Sequence, residues 1–543
     1  MTVRLTSPRR ARLAAVGAGA LALVLTACAS SSESQPDAEP STAPSATGIT
    51  AETVESSFDT LDQIAEDVMA ETGVPGIAIA VVYDDETVYQ KGFGVRRSDS
   101  DEPVEPETVF QIASLSKPVS ATIMAGMAGD GVFAWADPIV GYAPDFQLSN
   151  PYVTENVSFA DLFAHRSGIP GGPAGNDLEA VGFDRATILE RMRYVPLEPF
   201  RITYSYSNFG MTMAGEAAAR AAGTSWEQAS QEVLFEPAGM TSSSMSYADF
   251  ISRDNRAALH IQRDGEWVPA FERMPDAQAP AGGMSSNVVD LARWMRLSLA
   301  EGNLDGNQII DSETLDQTHT PQILKRPPSP TIGSAADFYG LGWDILTDET
   351  GTIRWTHSGA FSTGAATAAS LIPNENTGIV VLSNGAPIGV PEAIADAYLQ
   401  YLQTGDADTE GNLELWSERF AGLYGEPELD LASPPANPLP ARAESAYVGT
   451  YRNPYVGDVV IRTGDAGLEM VVGPENRVFP LTHWDADTFY YFDAPELPDF
   501  PSTVTFDVND GSTASTVTIS AFNQAGQGTL ERVPTDSSVP GQQ

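Results

Sequence analysis

Three lysines occur in the 543-residue chain, Lys91, Lys117 and Lys325, and one of them closes the run Ser114-Leu-Ser-Lys117. An apolar stretch, Thr108 to Ala113, precedes that run and reads as a strand. Val119 to Met127 follows it and reads as a helix. Residues i and i+3 on a first helical turn share one face, which brings the serine hydroxyl and the lysine amine within hydrogen-bonding reach. A serine hydroxyl becomes a nucleophile when a neighbour takes its proton, and a desolvated neutral lysine can do so. Neutrality near pH 7 requires the Lys117 pKa to fall by about 3 units, close to 4 kcal/mol, which burial can supply. Pro118 lacks a backbone donor and is tolerated only near a helix start, in keeping with this placement.

Two further elements follow in order. Tyr206-Ser-Asn208 stands within Thr203 to Gly210, and His357-Ser358-Gly359 within Arg354 to Ala360, which reads as the start of a strand. Ser-x-x-Lys, then Tyr-x-Asn, then His-x-Gly in this order resembles the serine β-lactamase and penicillin-binding-protein superfamily. The match is closest to its class C-like branch, which includes D-peptidases and esterases. Asp161 to Pro170, Leu234 to Met240, Ala281 to Ser286 and Tyr339 to Trp343 also look like signatures of that family. The resemblance spans residues 56–403. A second Tyr-x-Asn, Tyr451-Arg-Asn453, falls after the His-Ser-Gly and is set aside. His165 is read as structural, holding a helix end against the next loop.

The resemblance implies an acyl-enzyme on Ser114, with Lys117 and Tyr206 sharing proton transfer and either of them the formal base. It implies that Asn208 orients Lys117 and the substrate amide, and that the backbone N–H groups of Ser114 and Ala360 receive the oxyanion. Gly359 would allow close approach of the strand, with His357 and Ser358 beside the substrate. His357 replaces the lysine of a Lys-Thr-Gly triplet, and an imidazole is only partly charged near pH 7. Esters, amides and D-residue peptides with uncharged ends are therefore expected over carboxylate-bearing β-lactams. A non-catalytic penicillin-binding-like sensor lipoprotein is the alternative reading, disfavoured because every implied catalytic position is filled.

Acidic residues number 73 against 29 basic ones, a formal charge of −44. Such a surface repels nucleic-acid phosphate and anionic headgroups, which excludes both as electrostatic partners. The expected partner is a small-molecule or peptide substrate. Five histidines scattered along the chain and one cysteine give no metal-ligand spacing, and no glycine-rich nucleotide loop follows a strand, so no cofactor is implied.

The single cysteine, Cys28, ends Leu25-Thr-Ala-Cys28, behind four arginines (Arg4, Arg9, Arg10, Arg12) and an apolar run from Leu13 to Leu25. That run is too short for a typical membrane span and has the layout of a secretory signal. The tetrapeptide resembles the bacterial lipoprotein box. It implies cleavage before Cys28, lipid attachment to its sulfur and an extracytoplasmic protein held at the membrane through that anchor.

The expected organisation follows. Residues 1–27 are a signal peptide. Residues 28–55, rich in Ser, Ala, Pro and acids, form a flexible tether with a reach of about 30 Å. Residues 56–403 are the hydrolase domain and 404–443 a linker. Residues 444–533 carry seven short strand-like pieces with turns between them, and a tail of 534–543 follows. Within the hydrolase, Phe58 to Ala70 reads as a helix, Gly76 to Tyr83 and Thr87 to Phe93 as a hairpin, and Asn287 to Leu299 as a capped helix. Ala365 to Ile372 and Gly378 to Leu382 read as strands, and Pro391 to Gln403 as a closing helix. The fold class is α+β: an antiparallel sheet flanked by helices, an all-helical lobe, and a small all-β barrel. The opening Tyr447-Val-Gly-Thr-Tyr451 makes the barrel similar to the lipocalin-like domains attached to such hydrolases.

Overall fold

The computed structural model describes residues 48–172, 174–328, 335–347, 351–424, 427–508 and 512–534. Cys28 and the signal segment lie outside the described residues, as does the Asp510-Gly511 turn. The hydrolase sheet grows from the hairpin of β1 (Gly76–Tyr83) and β2 (Glu86–Gly94). Asp84 and Asp85 turn it with φ of 48° and 62°, the left-handed pair that a tight hairpin demands. Six more strands complete it: β3 (Ile323–Arg326), β4 (Asp337–Tyr339), β5 (Asp344–Thr347), β6 (Ile353–Phe361), β7 (Ala365–Ile372) and β8 (Thr377–Ser383). Among the described residues the order is β2-β1-β8-β7-β6-β5-β4-β3, and every pairing is antiparallel.

Both faces of the central strands are covered, which is why β1 reads as an unbroken apolar run. Ile77, Ile79 and Val81 pack with Leu61, Ile64 and Val68 of α1 (Phe58–Thr72) and with Ile394 and Tyr398 of α5 (Val390–Thr404). Ala78, Ala80 and Val82 join the larger core with Ile123 of α2 (Ser116–Gly129), Met211 of α3 (Asn208–Ala222) and Trp294 of α4 (Val288–Leu299). Asn287 caps α4 by accepting from the Asp290 N–H at 2.9 Å, a contact worth about 1 kcal/mol. Helices between residues 116 and 252 make the helical lobe, α4 packs on the sheet, and β6 meets the turn that carries Ser114 at Gly359.

A nine-stranded antiparallel sheet follows, counted over the described residues: β9 (Gly449–Asn453), β10 (Gly457–Gly464), β11 (Gly467–Val472), β12 (Arg477–Pro480), β13 (Thr482–Asp485), β14 (Thr488–Tyr491), β15 (Ser502–Asp507), β16 (Thr516–Ile519) and β17 (Thr529–Arg532). Its order, β12-β11-β10-β9-β17-β16-β15-β14-β13, leaves only the consecutive strands β12 and β13 at the open ends, so the sheet coils into a nearly closed barrel. Tyr447, Tyr451, Phe489 and Phe506 fill it, with the Tyr447 and Phe506 rings 4.7 Å apart. Tyr451, of the discarded Tyr-x-Asn, is buried here and donates to the Tyr447 carbonyl at 2.6 Å.

Four expectations need correcting. Residues 49–55, read as tether, are folded: Ala51–Ser56 is helical, Thr50 caps it, and Ile49 and Val54 are buried. Two apolar anchors in a polar stretch suffice once a hydrophobic surface is waiting for them. The strand expected over 108–113 shrinks to Phe110–Gln111, which pairs with the two-residue Ser285–Ser286, while Val109 makes only an isolated bridge to Arg256 among the described residues. The helix expected from Ser114 starts at Ser116, after a 3-10 turn over Ala113–Leu115. The strand holding His357 begins at Ile353, which puts the histidine mid-strand.

Candidate active site

Ser114 sits in the 3-10 turn, directly behind Ala113, whose φ of 47° lies in the left-handed region. A non-glycine residue there costs of order 1 kcal/mol or more and persists only where its surroundings hold it. Two hydrogen bonds do so: Ser116 Oγ donates to the Ala113 carbonyl at 2.6 Å, and the Met284 N–H donates to Ser116 Oγ at 3.0 Å. The turn is thereby sharp enough to leave the Ser114 side chain half-exposed while its neighbours are buried.

Lys117 has 0% exposure. Its Nζ lies 2.9 Å from Ser114 Oγ, 2.7 Å from Asn208 Oδ1 and 2.8 Å from the Ala281 carbonyl oxygen. Two of these partners can only accept, whereas the third is a hydroxyl that can also donate. A neutral amine has two protons and one lone pair, so it satisfies all three by donating to Asn208 and Ala281 and receiving the Ser114 proton. Burial pushes the Lys117 pKa well below that of an ordinary lysine, which favours this neutral form.

Tyr206 and Asn208 come from the segment that enters α3. Ser207 caps that helix through its Oγ, accepting from the Gly210 N–H at 3.1 Å. The Tyr206 phenol interacts with the Ser114 hydroxyl, and its ring centroid lies 4.5 Å from Lys117 Nζ. Burial raises the Tyr206 pKa, only partly offset by Ser114, so the phenol keeps its proton. His165 touches neither Ser114 nor Lys117 by hydrogen bond. Its Nδ1 accepts from the Ser207 N–H at 3.1 Å and its ring backs Tyr206 at 4.5 Å, so it positions the tyrosine segment.

Strand β5 pairs β6 only as far as Thr356, so among the described residues β6 has no strand partner on that side from His357 onward. Gly359 meets the nucleophile turn there: a Cβ on it would stand 2.2 Å from the Ile112 carbonyl oxygen and 2.8 Å from the Leu115 nitrogen. Thr367 Oγ1, from β7, donates to the same Ile112 oxygen at 2.8 Å and ties the strands to the turn. Ala360 follows, exposed at the cleft. His357 is 4% exposed; its Nδ1 is 2.6 Å from the Ser358 carbonyl oxygen and its Nε2 is 3.1 Å from the Tyr339 hydroxyl. Nδ1–H donates to the carbonyl and Nε2 accepts from the phenol. Burial pushes its pKa well down, so the imidazole is neutral, which corrects the expectation of partial charge.

The structure thus gathers Ser114, Lys117, Tyr206 and Asn208 into one hydrogen-bonded cluster, with Gly359 packed on its nucleophile turn and Ala360 next along β6. Ser358 and His357 line a cavity of 880 Å³ that runs on to Lys325, Arg354, Glu392 and Trp416. Glu392, buried in the first turn of α5, has its pKa pushed up to about 7 by desolvation. Sequence reasoning assigned no role to Ala281, Tyr339 or Glu392. Ala281 acts through a backbone carbonyl, which leaves no side-chain signal; Tyr339 opens a stretch read only as a family signature, and Glu392 stands outside every motif.

A family model described as "Beta-lactamase" matches residues 61–403, and one for a domain of unknown function, DUF3471, matches 433–531. Beta-lactamase-like protein 2 of Dictyostelium discoideum is 24% identical over 80% of this chain and 77% of its own length. The D-alanyl-D-alanine-carboxypeptidase/endopeptidase AmpH of Escherichia coli K12 is 24% identical over 66% of this chain and 90% of its own. Among solved structures, the octameric penicillin-binding protein homologue from Pyrococcus abyssi superposes with a TM-score of 0.56 at 21% identity, over 85% of this chain and 98% of that one. The fold and this cluster define a serine hydrolase of the Ser-Lys-Tyr kind. The chain belongs to the β-lactamase family.

Proposed function

We propose that this enzyme cleaves peptides containing D-residues through a Ser114 acyl-enzyme, working outside the cytoplasm on a lipid anchor at Cys28. The observation that carries the reading is the fully buried Lys117 amine with its lone pair available to the Ser114 hydroxyl at 2.9 Å.

The chemistry follows from the two shifted groups. Lys117, with a lowered pKa, takes the Ser114 proton as Oγ attacks the scissile carbonyl carbon. Negative charge moves to the carbonyl oxygen, which the Ser114 and Ala360 N–H groups receive. Tyr206, with a raised pKa, stays a phenol and passes a proton to the leaving nitrogen while regaining one from Lys117. The C–N bond breaks and leaves an ester on Ser114. Water then attacks that ester, and its proton returns through the same pair to Ser114 Oγ. Between the two candidate bases, the opposite directions of the pKa shifts favour Lys117.

A peptide is favoured because, among the described residues, no strand flanks the edge of β6 beyond Thr356, and that edge can pair with an extended chain. The carboxypeptidase/endopeptidase named among the relatives supports the same class. Neutral His357 offers no fixed charge to a substrate carboxylate, which disfavours β-lactams of that kind. The test is labelling by fluorophosphonate and fluorescent penicillin, followed by turnover of D-alanyl peptides and nitrocefin. Labelling lost in Ser114→Ala, with peptide turnover exceeding nitrocefin turnover, supports the reading; an unlabelled wild type defeats it.

A further inference from the structure

The β-barrel reaches the catalytic cleft at two separate places. On the helical-lobe side, Tyr455, 1% exposed in the β9–β10 connection, donates its hydroxyl proton to Asp177 Oδ1 at 2.6 Å. The same hydroxyl oxygen accepts the Gly175 N–H at 2.9 Å. Asp177 also accepts from the N–H groups of Gly175 (3.1 Å) and Leu178 (2.8 Å). Between them stands Asn176, whose Oδ1 is 3.4 Å from Asn208 Nδ2, and Asn208 Oδ1 holds Lys117 Nζ. Gly175 is pressed on the first turn of α3, since a Cβ there would stand 2.5 Å from the Phe209 ring. Arg191 fixes the barrel end of this chain of contacts, donating to the Tyr455 and Val456 carbonyls at 2.9 Å each.

On the sheet side, Ser362 Oγ donates to Glu496 Oε1 at 2.9 Å. Ser362 lies two residues past Ala360, immediately after the end of β6. Glu496 belongs to the connection between β14 and β15. One barrel therefore holds the segment behind the Lys117 partner and the end of the strand that supplies the second oxyanion donor.

The geometry points to the β-barrel as a clamp across the cleft, with Tyr455 a positioning residue for Asn208 and Lys117 and Glu496 a positioning residue for Ala360. The inference rests on the acyl-transfer reading above. Neither residue touches the reacting atoms. Each sets the distance between two halves of a site that lie on different lobes, where small misplacement is costly.

The two arms differ in what they should change. Tyr455→Phe keeps the buried ring and removes the hydroxyl, which loosens Asp177 and Asn176. Its rate of fluorophosphonate labelling in the full chain should fall about ten- to hundredfold. The midpoint of its pH–rate profile should also move, because Asn208 bonds Lys117. Glu496→Ala and Ser362→Ala each remove one partner of the second link, the carboxylate acceptor or the hydroxyl donor. They should slow labelling and lower kcat with KM little changed and the pH midpoint unmoved, because the oxyanion donor does not titrate. Should Tyr455→Phe fold poorly, the Glu496 and Ser362 variants decide the matter alone. A wild type that labels, with folded variants labelling at its rate and with its pH profile, overturns the clamp. An unlabelled wild type overturns the acyl-transfer reading and the clamp together.

Discussion

Gly359 and Ile112 face each other so closely that a methyl group on the glycine would lie 2.2 Å from the Ile112 carbonyl oxygen. This contact joins β6 to the turn that carries Ser114, and together with the Glu496–Ser362 link farther along it fixes the spacing between Ser114 and Ala360. Gly359→Ala must push the strand away from the turn, since two of the atoms it meets, the Ile112 oxygen and the Leu115 nitrogen, are backbone and the third is Thr367 Oγ1, itself bonded to that oxygen. Overpacking of this kind costs about 1–3 kcal/mol of stability. Thermal denaturation should show that loss, and acylation should fall about a hundredfold in the fraction that remains folded. A variant that acylates at the wild-type rate would mean that the donor spacing is set elsewhere.

Lys117→Met should abolish turnover and change how stability depends on pH. The unfolded chain binds a proton on Lys117 throughout the range below the ordinary lysine pKa, while the folded chain has lost it over the upper part of that range. Unfolding then takes up a proton, so this group makes the wild type more stable as pH rises from its lowered folded pKa to the unfolded one. The slope is about 1.4 kcal/mol per pH unit. Denaturant titrations between pH 7 and 9 should show a wild-type stability rising relative to Lys117→Met. Parallel curves for the two proteins would indicate an ordinary, charged lysine.

His357 is held neutral by burial, with both nitrogens engaged by Ser358 and Tyr339. The ratio of kcat/KM for anionic and uncharged substrates should therefore stay flat between pH 6 and 8. His357→Lys should raise that ratio about tenfold, the scale of one charge-assisted hydrogen bond. A wild-type ratio climbing as pH drops toward 6 would show the imidazole gaining charge beside the substrate.

Lipid at Cys28 predicts that the full-length protein expressed in a bacterial host enters the detergent phase, and that Cys28→Ala stays aqueous. Intact-mass analysis showing a free Cys28 thiol in the mature wild type would contradict it.

Much of the site was readable in the sequence because its parts are local motifs. Ser114 and Lys117 share one turn, Tyr206 and Asn208 enter one helix, and Gly359 and Ala360 are neighbours on one strand. The central strands were equally clear, since residues such as Ile77 to Val82 are buried on both faces. Less visible were the short strands rich in charged or half-exposed residues: β3 with Lys325 and Arg326, β4 and β5 with Asp337 and Asp344, and β13 and β17 in the barrel. Their pairing comes from the neighbouring strand rather than from their own apolar pattern. The links between Tyr455 and Asp177 and between Glu496 and Ser362 span 278 and 134 positions, and no local spacing announces them.

The protonation state of Lys117 is the centre of the account, and a chain with only three lysines allows it to be observed directly. Lysine labelled with carbon-13 at Cε gives three side-chain NMR signals, which Lys91→Arg and Lys325→Arg variants assign. The Lys117 signal should titrate well below the range of an ordinary lysine, with the same midpoint as the basic group in the labelling pH–rate profile. A Lys117 signal that stays in the protonated position until the ordinary lysine range would contradict its role as the base for Ser114.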